Sequence, residues 1–161
     1  MHAEDWIVER LRGLREDDLY RSTTTYADAG GHVNADGRKL LNLASNDYLN
    51  LAQHPDVIAA AKRHLDQWGT GATASRLVTG TLPCHQQLEE RLATHKSYAR
   101  AVLFGSGYMA NVGVITTLVG RGDHVFADRL VHASLIEGVL ASRATLHRFQ
   151  HNDPDHLAAL L

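Results

Sequence analysis

Apolar residues recur along this chain first at helical spacing and later in short runs separated by helices. Between residues 4 and 20, Trp6, Ile7, Leu11 and Leu14 stand at helical intervals among charged neighbours, which predicts an amphipathic helix. Arg21 and the polar run Ser22-Thr23-Thr24-Thr25 should end it. His32-Val33 and Lys39-Leu40-Leu41-Asn42-Leu43 flank Asn34-Ala35-Asp36-Gly37, and an Asp-Gly pair between two such runs predicts a hairpin with a tight turn. Pro55 suits the first turn of the next helix, which Val57, Ile58, Ala61 and Leu65 carry to about Trp68. A further helix begins near Gly80-Thr81-Leu82-Pro83, with Leu88, Leu92 and His95 spaced to share a face.

From Arg100 the pattern becomes strand–helix–strand–helix–strand. Strands are expected at residues 101–104, about 124–127 and about 145–149, with helices at about 108–119 and 133–142 between them. Residues 153–161 read as the start of another helix. Such alternation implies a parallel sheet with right-handed crossovers, and ligands in open sheets of this kind gather beyond the carboxyl ends of the strands. Those ends are Gly105-Ser106-Gly107, Asp128-Arg129-Leu130-Val131-His132 and Gln150-His151-Asn152-Asp153.

Gly105-Ser106-Gly107 is a strand-to-helix turn. Glycines there let a ligand approach the backbone, and the free N–H groups of a helix start favour an anion such as phosphate. Alone it is only a connection, being neither a Walker loop nor a dinucleotide fingerprint. His132 either caps the helix that begins at Ala133 or lies against a planar ligand whose phosphate sits at residues 105–107. Ala44-Ser45-Asn46-Asp47-Tyr48-Leu49 is either an Asx-capped turn or a loop presenting Asn46 to a ligand. Gly69-Thr70-Gly71-Ala72-Thr73-Ala74-Ser75-Arg76 is a linker, or suits a cleft or subunit contact through its hydroxyls and Arg76.

Composition narrows the class without naming it. A length of 161 residues fits one domain, and 44% hydrophobic with 21% charged residues is ordinary globular material. A net charge of −2 offers no electrostatic case for nucleic acid. The apolar runs are too short to cross a bilayer, and Met1-His2-Ala3-Glu4-Asp5-Trp6 is unlike a leader peptide, so a cytoplasmic location is the default. The single cysteine, Cys84, cannot form an internal disulfide and reads as a packed thiol despite the adjoining His85. Eleven histidines contain no His-Glu-x-x-His pattern, and one cysteine excludes a thiolate-rich zinc site; no metal is expected.

Five segments occur in a telling order: Ser45-Asn46-Asp47-Tyr48-Leu49, Ser75-Arg76-Leu77-Val78-Thr79-Gly80-Thr81, Ser106-Gly107-Tyr108-Met109-Ala110-Asn111, Asp128-Arg129-Leu130-Val131-His132-Ala133-Ser134 and Arg148-Phe149-Gln150-His151-Asn152-Asp153. Together they resemble the pyridoxal-phosphate-dependent α-oxoamine synthases, over essentially the whole chain. The resemblance implies an α/β fold, the N-terminal part of a fold-type-I, aminotransferase-like transferase, with a parallel-sheet large domain cut after its first βαβαβ units. An N-terminal helix and hairpin segment (1–43) would precede that partial cofactor-binding domain (44–161). The implied assembly is a homodimer with active sites at the subunit interface. The implied cofactor is pyridoxal 5'-phosphate (PLP), whose ring acts as an electron sink. The implied reaction is a decarboxylative condensation, in the biotin-pathway branch of the family, of L-alanine with pimeloyl-CoA or a pimeloyl carrier protein.

Carried over by position, Gly107 and Tyr108 would contact the cofactor with Ser106 nearby. His132 would stack on the pyridine ring and face the substrate, Asn46 would bind the amino-acid carboxylate, and Arg21 would meet the acyl substrate through its guanidinium fork. The family also needs a Schiff-base lysine and an acidic partner for the pyridinium nitrogen. Lys39, Lys62 and Lys96, the only lysines, stand outside such a context. No catalytic lysine is therefore expected within this chain, the Schiff-base lysine being expected beyond Leu161, and the chain alone should be inactive. A sister enzyme such as a glycine C-acetyltransferase, or a catalytically incompetent fragment, remains an alternative reading of the same residues.

Overall fold

Each element ends where a specific residue stops it. The computed structural model describes residues 4–26 and 30–161; Met1, His2 and Ala3, part of the start read as unlike a leader peptide, lie outside the described residues. Helix α1 (Asp5–Glu16) is shorter than the expected 4–20. Asp18 takes a left-handed backbone (φ 55°), and the Leu19 N–H turns back to the Leu14 carbonyl at 2.8 Å, closing the last turn. Strands β1 (His32–Ala35) and β2 (Arg38–Leu41) form the expected antiparallel hairpin, pairing Ala35 with Arg38 and His32 with Leu41. Both turn residues, Asp36 (φ 50°) and Gly37 (φ 75°), have positive φ, as a type I′ turn requires. Helix α2 (Pro55–Trp68) starts on a His54 cap, whose ring accepts from the Asp56 N–H, and ends at Gly69 with φ 75°.

The chain divides into two compact units, Met1–Thr70 and Gly71–Leu161. The first holds α1, the hairpin and α2.

The second holds the elements that carry the expected ligand end. Helix α3 (Pro83–His95) leads through residues 96–106 into α4 (Gly107–Leu118), followed by β3 (His124–Asp128), α5 (Ala133–Ser142), β4 (Thr145–Phe149) and α6 (Pro154–Leu160). Strands β3 and β4 pair in parallel from His124–Thr145 to Asp128–Phe149, joined by α5 as a β–α–β unit. Burial concentrates along α5: Ser134, Gly138 and Val139 are buried, as is Ala127 of β3. Helices α4 and α5 pack closely because position 138 has no side chain. A Cβ there would lie 3.1 Å from Ile115 side-chain atoms and 3.3 Å from the Val112 Cα.

The strand expected at residues 101–104 is a correction. No strand pairs with it among the described residues. Its Leu103 N–H instead donates to the Glu89 carboxylate of α3 at 2.8 Å, and the Phe104 ring lies over Gly113, where a Cβ would come within 2.9 Å of the ring. Apolar residues in a short run mark a segment that packs, and this one packs without a ladder.

Glu89 also receives both contacts of the Arg76 Nη2 at 3.1 Å, while the Arg76 Nε donates to the Thr81 Oγ1 at 3.0 Å. The Arg76 guanidinium first, and then the Leu103 N–H, hold the Glu89 carboxyl below its ordinary range. The glycine- and hydroxyl-rich stretch thus folds onto α3 through its arginine. Gly80 seals that turn: its N–H donates to the Ser75 carbonyl, and a Cβ at position 80 would fall 1.9 Å from the Ala74 oxygen. Backbone atoms cannot rotate away as a side chain can. Gly80→Ala should therefore cost about 3 kcal/mol of stability, the upper end for overpacking; an unchanged urea midpoint would contradict this packing.

Candidate functional site

The N-termini of α4 and α5 lie at the same end of the second unit. Asn111 pairs with Ser134, and Val112 and Ile115 meet Gly138, so contacts advance by one turn on both helices together and the two run parallel. Since α5 follows the carboxyl end of β3, the Gly105-Ser106-Gly107 turn, the 129–132 loop and the carboxyl edge of the β3–β4 pair form one region.

Ser106 is the N-cap of α4, its Oγ accepting from the Met109 N–H at 3.1 Å. The N–H groups of Gly107 and Tyr108 belong to the first turn and have no carbonyl partner within the helix. A Cβ at Gly107 would meet nothing within 4 Å, so the packing of this chain does not require glycine there. The Ser106 hydroxyl proton also remains to be donated. The turn is thus open, donor-rich and free of side-chain bulk, a chemistry that suits a phosphate.

His132 is the N-cap of α5 and is exposed. Its Nδ1 accepts the Ser134 N–H at 3.1 Å and lies 2.7 Å from the Ser134 Oγ. That hydroxyl in turn accepts from the Asn111 Nδ2 at 2.8 Å. A chain of three side chains therefore ties the imidazole to a residue one turn into α4. The capping role read from the sequence is thus present, and the cap stands at the same end of the unit as the 105–108 turn.

Asp128, at the end of β3, fastens the neighbouring loop. Its carboxylate accepts from the Leu130 N–H at 2.7 Å, from the Asn152 N–H at 3.0 Å and from the His151 Nδ1 at 3.0 Å. These donors, the Leu130 and Asn152 amides foremost, draw its pKa down to about 2. The Arg129 N–H donates to the Phe149 carbonyl at 3.0 Å, and the Arg148 guanidinium donates to the Arg129 carbonyl.

The other expected site residues belong to the first unit. Arg21 is exposed in irregular backbone after α1. Asn46 sits in a loop that Asp47 anchors by accepting from the Leu51 and Ala52 N–H groups at 2.8 and 3.3 Å. The Asn46 Oδ1 accepts from the Tyr48 hydroxyl at 3.3 Å, leaving the amide N–H₂ as a donor. Lys39 is in β2, Lys62 in α2, and Lys96 caps the end of α3. Cys84 is half-buried in the first turn of α3, while the adjoining His85 ring accepts the Leu82 N–H at 3.0 Å as a helix cap. Among the described residues no cluster of three or more His, Cys, Asp or Glu is arranged to hold a metal, and no helix is long and apolar enough to cross a membrane.

Residues 38–161 match the family model described as aminotransferase class I and II. The chain belongs to this family. Among curated relatives, 8-amino-7-oxononanoate synthase of Geobacter sulfurreducens is 51% identical over 96% of the chain. The enzyme of the same name from Chromobacterium violaceum is 53% identical over 89%. The chain spans 40% and 37% of those two proteins' lengths. Among solved structures, Sphingomonas wittichii serine palmitoyltransferase superposes over 99% of this chain and 41% of its own, with a TM-score of 0.81 at 32% identity. The 8-amino-7-oxononanoate synthase of Francisella tularensis covers 73% of this chain and 32% of its own, with a TM-score of 0.63 at 33% identity. A serine palmitoyltransferase variant from S. paucimobilis, solved with PLP and myriocin bound, has a TM-score of 0.81 over 98% of this chain and 42% of its own at 29% identity. The expected α/β, fold-type-I architecture is therefore the one this family member has.

Sequence reasoning named Asn111 and Ser134 inside longer motifs but gave neither a role. The available signal was weak, since α4 also carries Thr116 and Thr117 and α5 also carries Glu137 and Ser142, and nothing in the sequence singles out the one amide and the one hydroxyl that meet. Asp128 and His151 were likewise read only as strand-end residues.

Replacing Asp128 by Asn tests the fastening of the two loops. One amide oxygen cannot serve three N–H donors, so Asp128→Asn should lower the urea midpoint at neutral pH. The folded carboxyl titrates near 2 against an ordinary 3.8, so its stabilising share is complete above pH 3.8 and fades as pH falls towards 2. The midpoint difference between parent and variant should narrow over that interval. A difference independent of pH would contradict the assignment.

Proposed function

We propose that this chain supplies the cofactor- and substrate-facing part of an 8-amino-7-oxononanoate synthase, which condenses L-alanine with a pimeloyl thioester and releases carbon dioxide in biotin biosynthesis. The similarity to curated synthases, at 49–53% identity, exceeds the 29–32% to solved serine palmitoyltransferases and favours this branch of the family. The observation that carries the site is the bare, donor-rich turn at 106–108 on the same end of the molecule as His132.

PLP fits these residues, because the open space at Gly107 and the unpaired first-turn amides are what a phosphate ester needs. When bound, PLP supplies an electron sink for the charge that develops at the amino-acid α-carbon. In the proposed site the N–H groups of Gly107 and Tyr108 bind the phosphate, and the Ser106 hydroxyl donates beside them. His132 covers one face of the ring and orients the substrate on that side. Asn46 offers its amide N–H₂ to the alanine carboxylate. The Arg21 fork binds the acyl substrate, a pairing that the planar guanidinium makes specific for a carboxylate. Lys39, Lys62 and Lys96 receive no catalytic role, since they stand on the hairpin, on α2 and at the end of α3. The active unit would be a homodimer.

Two measurements test this reading. With the complete enzyme, L-alanine plus pimeloyl-CoA or pimeloyl carrier protein should release the free thiol carrier at least about a hundredfold more efficiently than glycine plus acetyl-CoA, a margin that a single matched methylene in a pocket can already approach. The reverse preference would assign the chain to a sister synthase. In addition, Gly107→Ala should leave stability unchanged or raise it by less than about 1 kcal/mol, because the helical backbone accepts alanine. The same variant should weaken PLP binding, measured by equilibrium titration. Parent-like affinity would remove the phosphate from this turn.

A further inference from the structure

We propose that Asn111 and Ser134 are positioning residues for His132: they set the direction of its hydrogen bonds so that the imidazole keeps its proton on Nε2 and its plane fixed. The Ser134 backbone N–H can only donate, so the Nδ1 it reaches at 3.1 Å must be a lone-pair acceptor. The Asn111 amide donates to the Ser134 Oγ at 2.8 Å, which commits that oxygen as acceptor and turns its own proton toward Nδ1, 2.7 Å away. Nδ1 thus receives two bonds from one residue, and the ring proton is left on Nε2, the nitrogen not held by Ser134.

Burial makes this arrangement a constraint. Ser134 has no exposed surface, so its hydroxyl cannot exchange its partners for water. A reversed hydroxyl would leave a buried donor or acceptor without a partner, which is costly. The capped helix supplies one of the two bonds to Nδ1 and the neighbouring helix, through Asn111, orients the other. The imidazole is thereby held both in its ring plane and in its tautomer by groups on α5 and α4. What this means for catalysis rests on the reading that His132 faces PLP; the hydrogen-bond logic itself does not.

Nitrogen-15 NMR of the histidine-labelled protein without PLP reads the tautomer directly, with the His132 signals identified by their loss in His132→Gln. The expected result is a pyridine-like Nδ1 and a pyrrole-like Nε2. Asn111→Asp keeps the volume but replaces a donor by an acceptor, so the Ser134 hydroxyl should turn to the carboxylate and the His132 signals should shift towards an Nδ1-protonated or averaged ring. Ser134→Ala removes the hydroxyl and should shift them the same way, more weakly, because the backbone bond survives. An averaged ring in the parent, or parent-like signals in both variants, would overturn the proposal. A PLP titration separates this from the functional reading. Asn111→Asp should raise the PLP dissociation constant about tenfold, the value of roughly one hydrogen bond. If the parent ring is locked and the variants release it, yet PLP leaves the His132 signals unmoved, the positioning stands and the placement of the cofactor fails.

Discussion

The close parallel pairing of α4 with α5 is the constraint on which the second unit depends. It requires near-absence of bulk at Gly138 against Val112 and Ile115, and Gly113 likewise leaves room, for the Phe104 ring rather than for α5. Both are ordinary helix positions where glycine is conformationally unfavourable, so their value lies in the approach they allow. That approach brings Asn111 within hydrogen-bonding distance of Ser134 and sets the turn before one helix beside the loop before the other.

A second fastening acts at the carboxyl edge of the two strands. Asp128 gathers amides from its own loop and from the loop after β4, and Arg148 and Arg129 cross the same gap. Loops at such an edge must be specific in shape yet open to a ligand. Here the specificity comes from one ionised carboxylate and from caps at Ser106, His132 and Asp153, each satisfying helix amides that would otherwise be bare. The contrast between Gly80, where a Cβ would strike backbone, and Gly107, where it would meet nothing, marks which of the two glycines the packing itself requires.

Family membership and local geometry support one another without being the same observation. The chain shares its architecture with solved serine palmitoyltransferases and about half its residues with curated synthases, while it spans about 40% of the length of the curated relatives named above. Large apolar residues such as Leu77 and Leu43 stand exposed at 99% and 87%. The open turn at 106–108 therefore carries more of the functional reading than overall burial does.

Periodicity and turn chemistry determined α2, α4 and α5, the hairpin with its Asp36-Gly37 turn, and the alternation of helices and strands from Gly107 onward. These signals are local: a helix face repeats every turn, and positive φ selects particular residue types wherever it occurs. They also grouped Gly105-Ser106-Gly107 with Asp128-Arg129-Leu130-Val131-His132 at one end of a sheet. What local signals could not carry was partnership. The segment 101–104 reads as a strand, but whether its amides join a ladder depends on what lies beside it, and Glu89 from α3 takes the Leu103 N–H instead. The early end of α1 followed from a left-handed Asp18 that helical spacing does not reveal. Arg76 reads from the sequence as part of a linker or as a cleft or subunit contact, and only the fold pairs its Nε with Thr81 and its Nη2 with Glu89. The Asn111–Ser134–His132 chain joins residues 23 positions apart, and hydrogen-bond direction exists only once two helices have packed; only the tertiary structure could decide which way that serine points, and with it which nitrogen of His132 holds the proton.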